Sequence, residues 1–202
     1  LNASYVKAYE FGYTFEKRPV RADVQFFWNN YRGLIQAVPQ TGPGVFPVVE
    51  RFANRLDGDL YGVELSGEWQ ATERLALDAF YTWEQWVQSG TRTFWRPDLQ
   101  STGGMAPPQQ RLSVGAGYAP TKDLTLNGRM WWVDESHGQA GRRIAPYTRF
   151  DFNVARKLGE NAEIAVGVLN AFDPRHPEAE TSGFAAHEVG ERTWYVRFQA
   201  EF

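Results

Sequence analysis

The chain has 202 residues, a net charge of −3, three histidines and no cysteine. So small a net charge gives no electrostatic case for a nucleic-acid partner, and the missing cysteine removes disulfides, thiolate catalysis and thiolate metal sites. Mean hydropathy is −0.49, and no apolar run reaches the roughly 18 residues of a transmembrane helix. Barrel strands escape that test, because their lipid-facing residues alternate with polar ones. Aromatic residues make up 15% of the chain, eight of them Trp, and Trp and Tyr favour bilayer interfaces.

Near the start, Phe11, Tyr13 and Phe15 alternate with Glu10, Gly12, Thr14 and Glu16. Side chains alternate faces along a strand, so this is a strand with one apolar and one polar face. Lys17-Arg18-Pro19 predicts a short turn. A second strand sets Val20, Ala22, Val24, Phe26 and Trp28 against Arg21, Asp23, Gln25, Phe27 and Asn29, then runs irregularly through Tyr31 to Ile35. Residues 37–53 hold Pro39, Gly42, Pro43, Gly44 and Pro47, the composition of a long loop. The third strand alternates Tyr61, Val63, Leu65, Gly67 and Trp69 with Glu64, Ser66 and Glu68, and a tight turn follows at 71–73. The fourth alternates Leu75, Leu77, Ala79, Tyr81 and Trp83 with Asp78, Phe80, Thr82 and Glu84. A second long loop spans 89–108.

The fifth strand places Leu112, Val114, Ala116 and Tyr118 opposite small residues, Ser113, Gly115 and Gly117. After a turn at 120–123, the sixth alternates Leu124, Leu126, Gly128, Met130 and Trp132 with Thr125, Asn127 and Arg129. A third long loop covers 134–145. The seventh strand pairs Thr148, Phe150, Phe152 and Val154 with Tyr147, Arg149, Asp151 and Asn153. The eighth, beyond a turn at 158–161, sets Ile164, Val166 and Val168 against Glu163, Ala165 and Gly167. Asn170 falls on its apolar side near the end. A fourth long loop covers 173–190, and a last strand alternates Trp194, Val196, Phe198, Ala200 and Phe202 with Tyr195, Arg197, Gln199 and Glu201.

Nine strands joined by connections that run short, long, short, long predict antiparallel hairpins. Outer-membrane barrels have this asymmetry of short periplasmic turns and longer extracellular loops. A strand crossing a bilayer needs about 9–11 residues, and the terminal strand meets that length. Phe15, Trp69, Tyr118 and Phe202 fall near the short-turn rim, and Trp28, Trp83, Trp132, Phe172 and Trp194 toward the other. Two aromatic girdles flanking an aliphatic band predict an all-β, antiparallel transmembrane barrel. Leu65, Leu77, Leu126, Phe152, Val166 and Phe198 are expected to face lipid, and Glu64, Asp78, Asn127, Asp151 and Arg197 the lumen.

Several stretches are similar, in order, to the carboxyl-terminal half of a TonB-dependent outer-membrane receptor. They are Tyr9-Glu10-Phe11-Gly12-Tyr13, Trp28 to Ile35, Gly62 to Gly67, Pro107 to Leu112 and Leu169-Asn170-Ala171-Phe172-Asp173. Ala171 stands where that family commonly has Leu. The terminal Phe202 resembles the signal read by the barrel-assembly machinery. The resemblance covers residues 1–202 and implies a share of a barrel of roughly 22 strands. It also implies an upstream plug through which the TonB complex acts, placement in the bacterial outer membrane, and energised uptake of a scarce small molecule such as a ferric siderophore. Nine strands is an odd number, whereas bacterial single-chain barrels have even counts. The segment is therefore expected to form an open, curved sheet with its first strand at one edge.

The residues offer no catalytic constellation, no metal site and no cofactor motif. His137, His176 and His187 all fall in loops without partners at useful spacing, and are expected to be solvated. Inward carboxylates such as Glu64, Glu68, Asp78 and Glu84 suit a wet lumen as well as they suit acid catalysis. Arg149 and Asp151 are expected to take part in cross-strand ion pairing. Arg92, Trp95, Arg96, Arg142 and Arg143 are the candidate ligand contacts, because guanidinium groups pair with anionic ligands and Trp stacks on flat ones. Lipopolysaccharide phosphate would suit the same arginines. The expected function is an import receptor, not an enzyme; a passive porin-like or adhesin barrel is the alternative, and an outer-membrane hydrolase stands behind both.

Overall fold

The computed structural model describes residues 1–39, 50–88, 107–137, 143–173, 175–180 and 187–201. Among them there is no helix. Nine strands form one antiparallel sheet: β1 (Tyr5–Lys17), β2 (Val20–Pro39), β3 (Glu50–Thr72), β4 (Leu75–Gln88), β5 (Gln110–Tyr118), β6 (Leu124–Val133), β9 (Tyr147–Lys157), β10 (Ala162–Leu169) and β13 (Thr193–Ala200). Two small ribbons rise from the long connections, β7 (Ser136–His137) with β8 (Arg143–Ile144), and β11 (Arg175–Glu180) with β12 (His187–Glu191). The sheet is open: β1 and β13 are its two edges.

Register carries the apolar sets from strand to strand. Phe11 lies opposite Phe26, Phe26 opposite Val63, and Val63 opposite Trp83. Tyr81 then meets Leu112, Val114 meets Met130, Met130 meets Phe150, and Val154 meets Val166. The series ends with Val166 on Val196 and Ile164 on Phe198. A slip of one residue at any ladder would reverse a whole strand. All the lipid-side and lumen-side residues named from the sequence fall on the two faces assigned to them.

Burial is inverted relative to a water-soluble sheet. Val196 and Trp194 are each 70% exposed and Phe198 is 64% exposed, whereas Thr82 is 1%, Ser113 2% and Ala165 2% exposed. The apolar face is the open one. The polar face curls inward around a hollow of about 1200 Å³ whose lining includes Arg21, Glu68, Asp78, Arg129, Asp151 and Tyr195. Apolar surface left uncovered on this scale needs a nonaqueous partner. The convex face carries both girdles: Phe15, Trp69 and Tyr118 stand exposed near the short-turn rim, and toward the other rim Trp28 stacks on Tyr9 at 5.4 Å, Trp83 meets Tyr61 edge-on at 5.9 Å, and Phe172 meets Phe150 at 5.4 Å and Phe152 at 5.7 Å.

Some boundaries differ from the sequence reading. The loop expected over 37–53 is partly strand, because β2 runs to Pro39 and β3 starts at Glu50. The alternation is hidden there by a bulge between Tyr31 and Ile35, where Gly33 takes a φ of 64°. Asp57 accepts the Gly33 N–H at 2.6 Å and stabilises that kink. The loops expected over 134–145 and 173–190 each contain a ribbon. The turn expected at 71–73 lies at 73–74.

The small inner residues do more than permit gentle curvature. A Cβ on Gly115 would lie 2.6 Å from Arg129 Nη2 and would also strike Asp78; a Cβ on Gly167 would lie 2.5 Å from the Tyr195 ring. Gly62 and Gly58 likewise leave room for the rings of Phe27 and Trp86 on adjacent strands. The glycines are seats for large side chains one strand away.

Arginine at Val166, on the convex face, is expected to cost about 2–4 kcal/mol, and arginine at Asn153, facing the hollow, much less. Urea unfolding of the full-length protein folded into phospholipid vesicles measures both. Equal costs would contradict the facing.

Candidate functional site

The polar wall holds an ordered run of charged and aromatic groups. Asp78 on β4 pairs with Arg129 on β6 at 2.8 Å, reaching over Gly115 of the intervening β5. Arg129 also donates to Ser113 Oγ at 2.7 Å. Its guanidinium lies 5.5 Å from the centre of the Trp131 ring, and that of Arg149 lies 5.6 Å from the same ring. Such contacts are favourable through the ring's negative face. Lower on the wall, Asn127 donates to Asn153 at 2.9 Å, and Arg197 pairs with Glu163 at 2.9 Å. Thr14 donates to Asp23 at 2.6 Å, and Arg111 pairs with Glu84 at 3.2 Å.

Asp151 joins this wall to the rim of long connections. One oxygen accepts from Trp131 Nε1 at 3.1 Å and from Arg149 Nη2 at 3.1 Å. The other accepts the backbone N–H of Asn170 at 2.9 Å. The Arg149–Asp151 pair thus forms along one strand, two residues apart on the same face. Across the ladder Asp151 stands opposite Arg129, which is engaged by Asp78 instead. For Asp151 this corrects the cross-strand ion pairing expected from the sequence, whereas Arg149 also reaches Glu178 of β11 at 3.5 Å.

Asn170 turns the chain out of β10. It has a φ of 54° and is 1% exposed. Asn tolerates this left-handed conformation better than most residues. Its Nδ2 lies 3.3 Å from His176 Nδ1 and donates to Gly190 O at 3.3 Å. Its Oδ1 has no partner among the described residues. The Ala171 N–H donates to Phe150 O at 2.8 Å, which closes the turn against β9. The motif containing Asn170 is therefore a corner that ties the β11–β12 ribbon to the wall.

His176 contradicts its sequence reading. It is 7% exposed, stacked on Tyr147 at 4.2 Å, and flanked by carboxylates: Asp173 lies 2.9 Å from Nδ1 and Glu178 lies 3.1 Å from Nε2. The sequence hid it because its partners come from the two residues around a corner and from the far side of a bulge. His137, in β7, lies 3.6 Å from Glu135. The His187 side chain lies outside the described residues.

Of the candidate ligand contacts, Arg143 sits on β8 and is exposed, with Nε 2.6 Å from Glu135. Arg92, Trp95, Arg96 and Arg142, and the assembly candidate Phe202, lie outside the described residues. The inner aromatics Trp131, Tyr195 and Phe27 were not singled out from the sequence as wall features. Their position opposite or diagonal to glycines was the available signal.

A curved antiparallel sheet with an apolar convex face, two aromatic girdles and a hydrogen-bonded polar concave face is a length of transmembrane β-barrel wall. The chain belongs to the TonB-dependent receptor-like β-barrel family, whose model matches residues 1–171. No curated protein matches it. Among solved structures it is similar to the copper transporter OprC, with 19% identity, a TM-score of 0.78 and coverage of 98% of this chain and 32% of that one. It is also similar to the ferric enterobactin receptor PfeA of Pseudomonas aeruginosa (18% identity, TM-score 0.74, 100% and 32% covered). A third is the ferric-catecholate import receptor Fiu from K12 E. coli (14% identity, TM-score 0.72, 98% and 28% covered). The chain spans about a third of the length of these receptors.

Asn170→Gly keeps the left-handed corner and loses the amide contacts, whereas Asn170→Ala also bears the strain. The alanine variant is expected to be the less stable by about 1 kcal/mol. Parallel thermal melts of the two full-length variants in detergent measure this. Equal stability would contradict the strained corner.

Proposed function

We propose that this chain is part of the barrel of a bacterial outer-membrane receptor that takes up an iron–siderophore complex with energy supplied by the TonB complex. The observation that carries the reading is the family match over residues 1–171 on a wall whose concave face is polar and hydrogen-bonded. Ferric enterobactin and ferric catecholates in the names of PfeA and Fiu favour an iron chelate as cargo, while the copper transporter OprC makes copper the competing cargo. The reading has the TonB complex act through an N-terminal plug, the assembly machinery read the strand ending at Phe202, and ligand meet the barrel among Arg92, Trp95, Arg96, Arg142 and Arg143. Transport without catalysis is part of the proposal. In it the short-turn rim faces the periplasm and the β7–β8 and β11–β12 ribbons face outside.

Cells that lack their own siderophore receptors and express the full protein are expected to show saturable uptake of radiolabelled ferric siderophore that disappears when TonB is deleted. Uptake that persists without TonB and rises linearly with concentration would support the passive pore instead. For sidedness, a cysteine at Gly104 is expected to react with an impermeant maleimide on intact cells, and one at Thr121 is not. The reverse pattern would invert the topology.

A further inference from the structure

Three rings and one aliphatic side chain gather on the concave face toward the rim of long connections, level with and just beyond Trp28 and Trp83. They are Phe27 and Tyr31 on β2, Leu60 on β3 and Trp86 on β4. Register puts them together: Phe27 lies opposite Gly62, Tyr31 opposite Gly58, and Leu60 opposite both Asn29 and Trp86. One step farther from that rim the same face carries Gln25, Glu64 and Thr82, the polar groups that a wet wall calls for. All four apolar side chains remain partly exposed.

Two glycines shape the group. A Cβ on Gly58 would lie 2.5 Å from Trp86 Cζ2, and one on Gly62 would lie 2.7 Å from Phe27 Cζ. Rings from β4 and β2 thus lean over β3 from either side, with Leu60 between the two glycines. Trp86 reaches far enough to meet Tyr31 at 5.6 Å, tilted by 47°. Its Nε1 is buried with no acceptor among the described residues, so contact alone sets the position of that ring. Spanning a bilayer does not require these rings, because lipid meets only the convex face. Beside them Arg111 pairs with Glu84 at 3.2 Å; the guanidinium side chain is 47% exposed and the carboxylate side chain 15%. The pair shows its positive member to the hollow.

We propose that Phe27, Tyr31, Leu60 and Trp86 form a stacking ledge for a flat aromatic ring of the cargo, with Arg111 beside it for the anionic oxygens on that ring. The inference rests on the uptake reading above and names the cargo class within it: a ferric chelate whose iron-binding groups are aryl rings, as in a catecholate. Ring-on-ring contacts add to plain apolar burial, so a ledge of rings discriminates aryl from alkyl chelates. A guanidinium complements oxygens that carry negative charge. A bare copper ion calls for imidazole or sulfur ligands, and the ledge offers neither.

The test is equilibrium dialysis of the full-length protein in detergent against three probes: the ferric complex of a tris-catecholamide, that of a trihydroxamate without rings, and copper(II). The native protein is expected to bind the catecholamide complex most tightly. Trp86→Leu keeps an apolar side chain but removes the ring, and is expected to weaken that complex about tenfold, the scale of one aromatic contact, whereas Trp86→Phe keeps a ring and most of the affinity. Tyr31→Leu, on another strand, is expected to weaken it in the same direction. Tighter native binding of the trihydroxamate or of copper(II) would overturn the ledge and leave energised uptake standing. Unchanged affinity for the catecholamide complex in both leucine variants would do the same, and would assign the rings to packing within the assembled barrel. Binding of none of the three probes would overturn the uptake reading and the ledge together.

Discussion

Inside a bilayer no water is available to pair a free backbone N–H or C=O. The rest of this structure depends on that constraint. Each strand must find a ladder, and each ladder must keep one face apolar. The eight pairings run from β1 to β13 across the membrane-spanning stretch and keep the apolar set of each strand in register with that of its neighbour. Departures occur at the ends. The bulge around Gly33 lies above Trp28, and the shift after Gln70 lies at the short-turn rim.

The concave face has a second problem: large charged side chains on a surface that curls toward itself. Small residues resolve it. Gly115 clears a path between Asp78 and Arg129, and Gly167 holds the ring of Tyr195. Because the polar groups pair with each other along the wall, burying Thr82 and Ser113 carries little penalty for Ser113, whose Oγ accepts from Arg129. Asp151 then extends the same network into the rim by holding Trp131, Arg149 and the Asn170 backbone at once. The rim ribbon is tied to this wall by the Asn170 amide, by the Tyr147–His176 stack and by the Arg149–Glu178 pair.

The strand count, the facing and most turns were legible because period-two alternation survives wherever one face must be apolar. Val166 and Phe198 could be assigned to lipid from spacing alone. Alternation failed where lipid no longer imposes it. The extensions of β2 and β3 beyond the bulge carry no apolar stripe, and Pro39 and the nearby glycines read as loop. The β11–β12 ribbon is short and polar, so nothing in its sequence marks it as paired. His176 looked solvated because burial by Tyr147, Asp173 and Glu178 depends on a corner made by a left-handed Asn170, and a single sequence does not display φ. Asn170 itself was visible as a break in the pattern, and its family resemblance pointed to the rim, but its role as the joint between wall and ribbon required the contacts. The loop candidates other than Arg143 rested on chemistry that no register constrains.

The central claim is that the convex face meets lipid while the concave face meets water. A nitroxide scan of residues 194–199 in the full-length protein, reconstituted in phospholipid vesicles, tests it most directly by comparing collisions with oxygen and with a water-soluble nickel chelate. The account predicts a period of two, with oxygen favoured at 194, 196 and 198 and the nickel chelate at 195, 197 and 199. The opposite phase, or equal accessibility to both reagents along the strand, would contradict it.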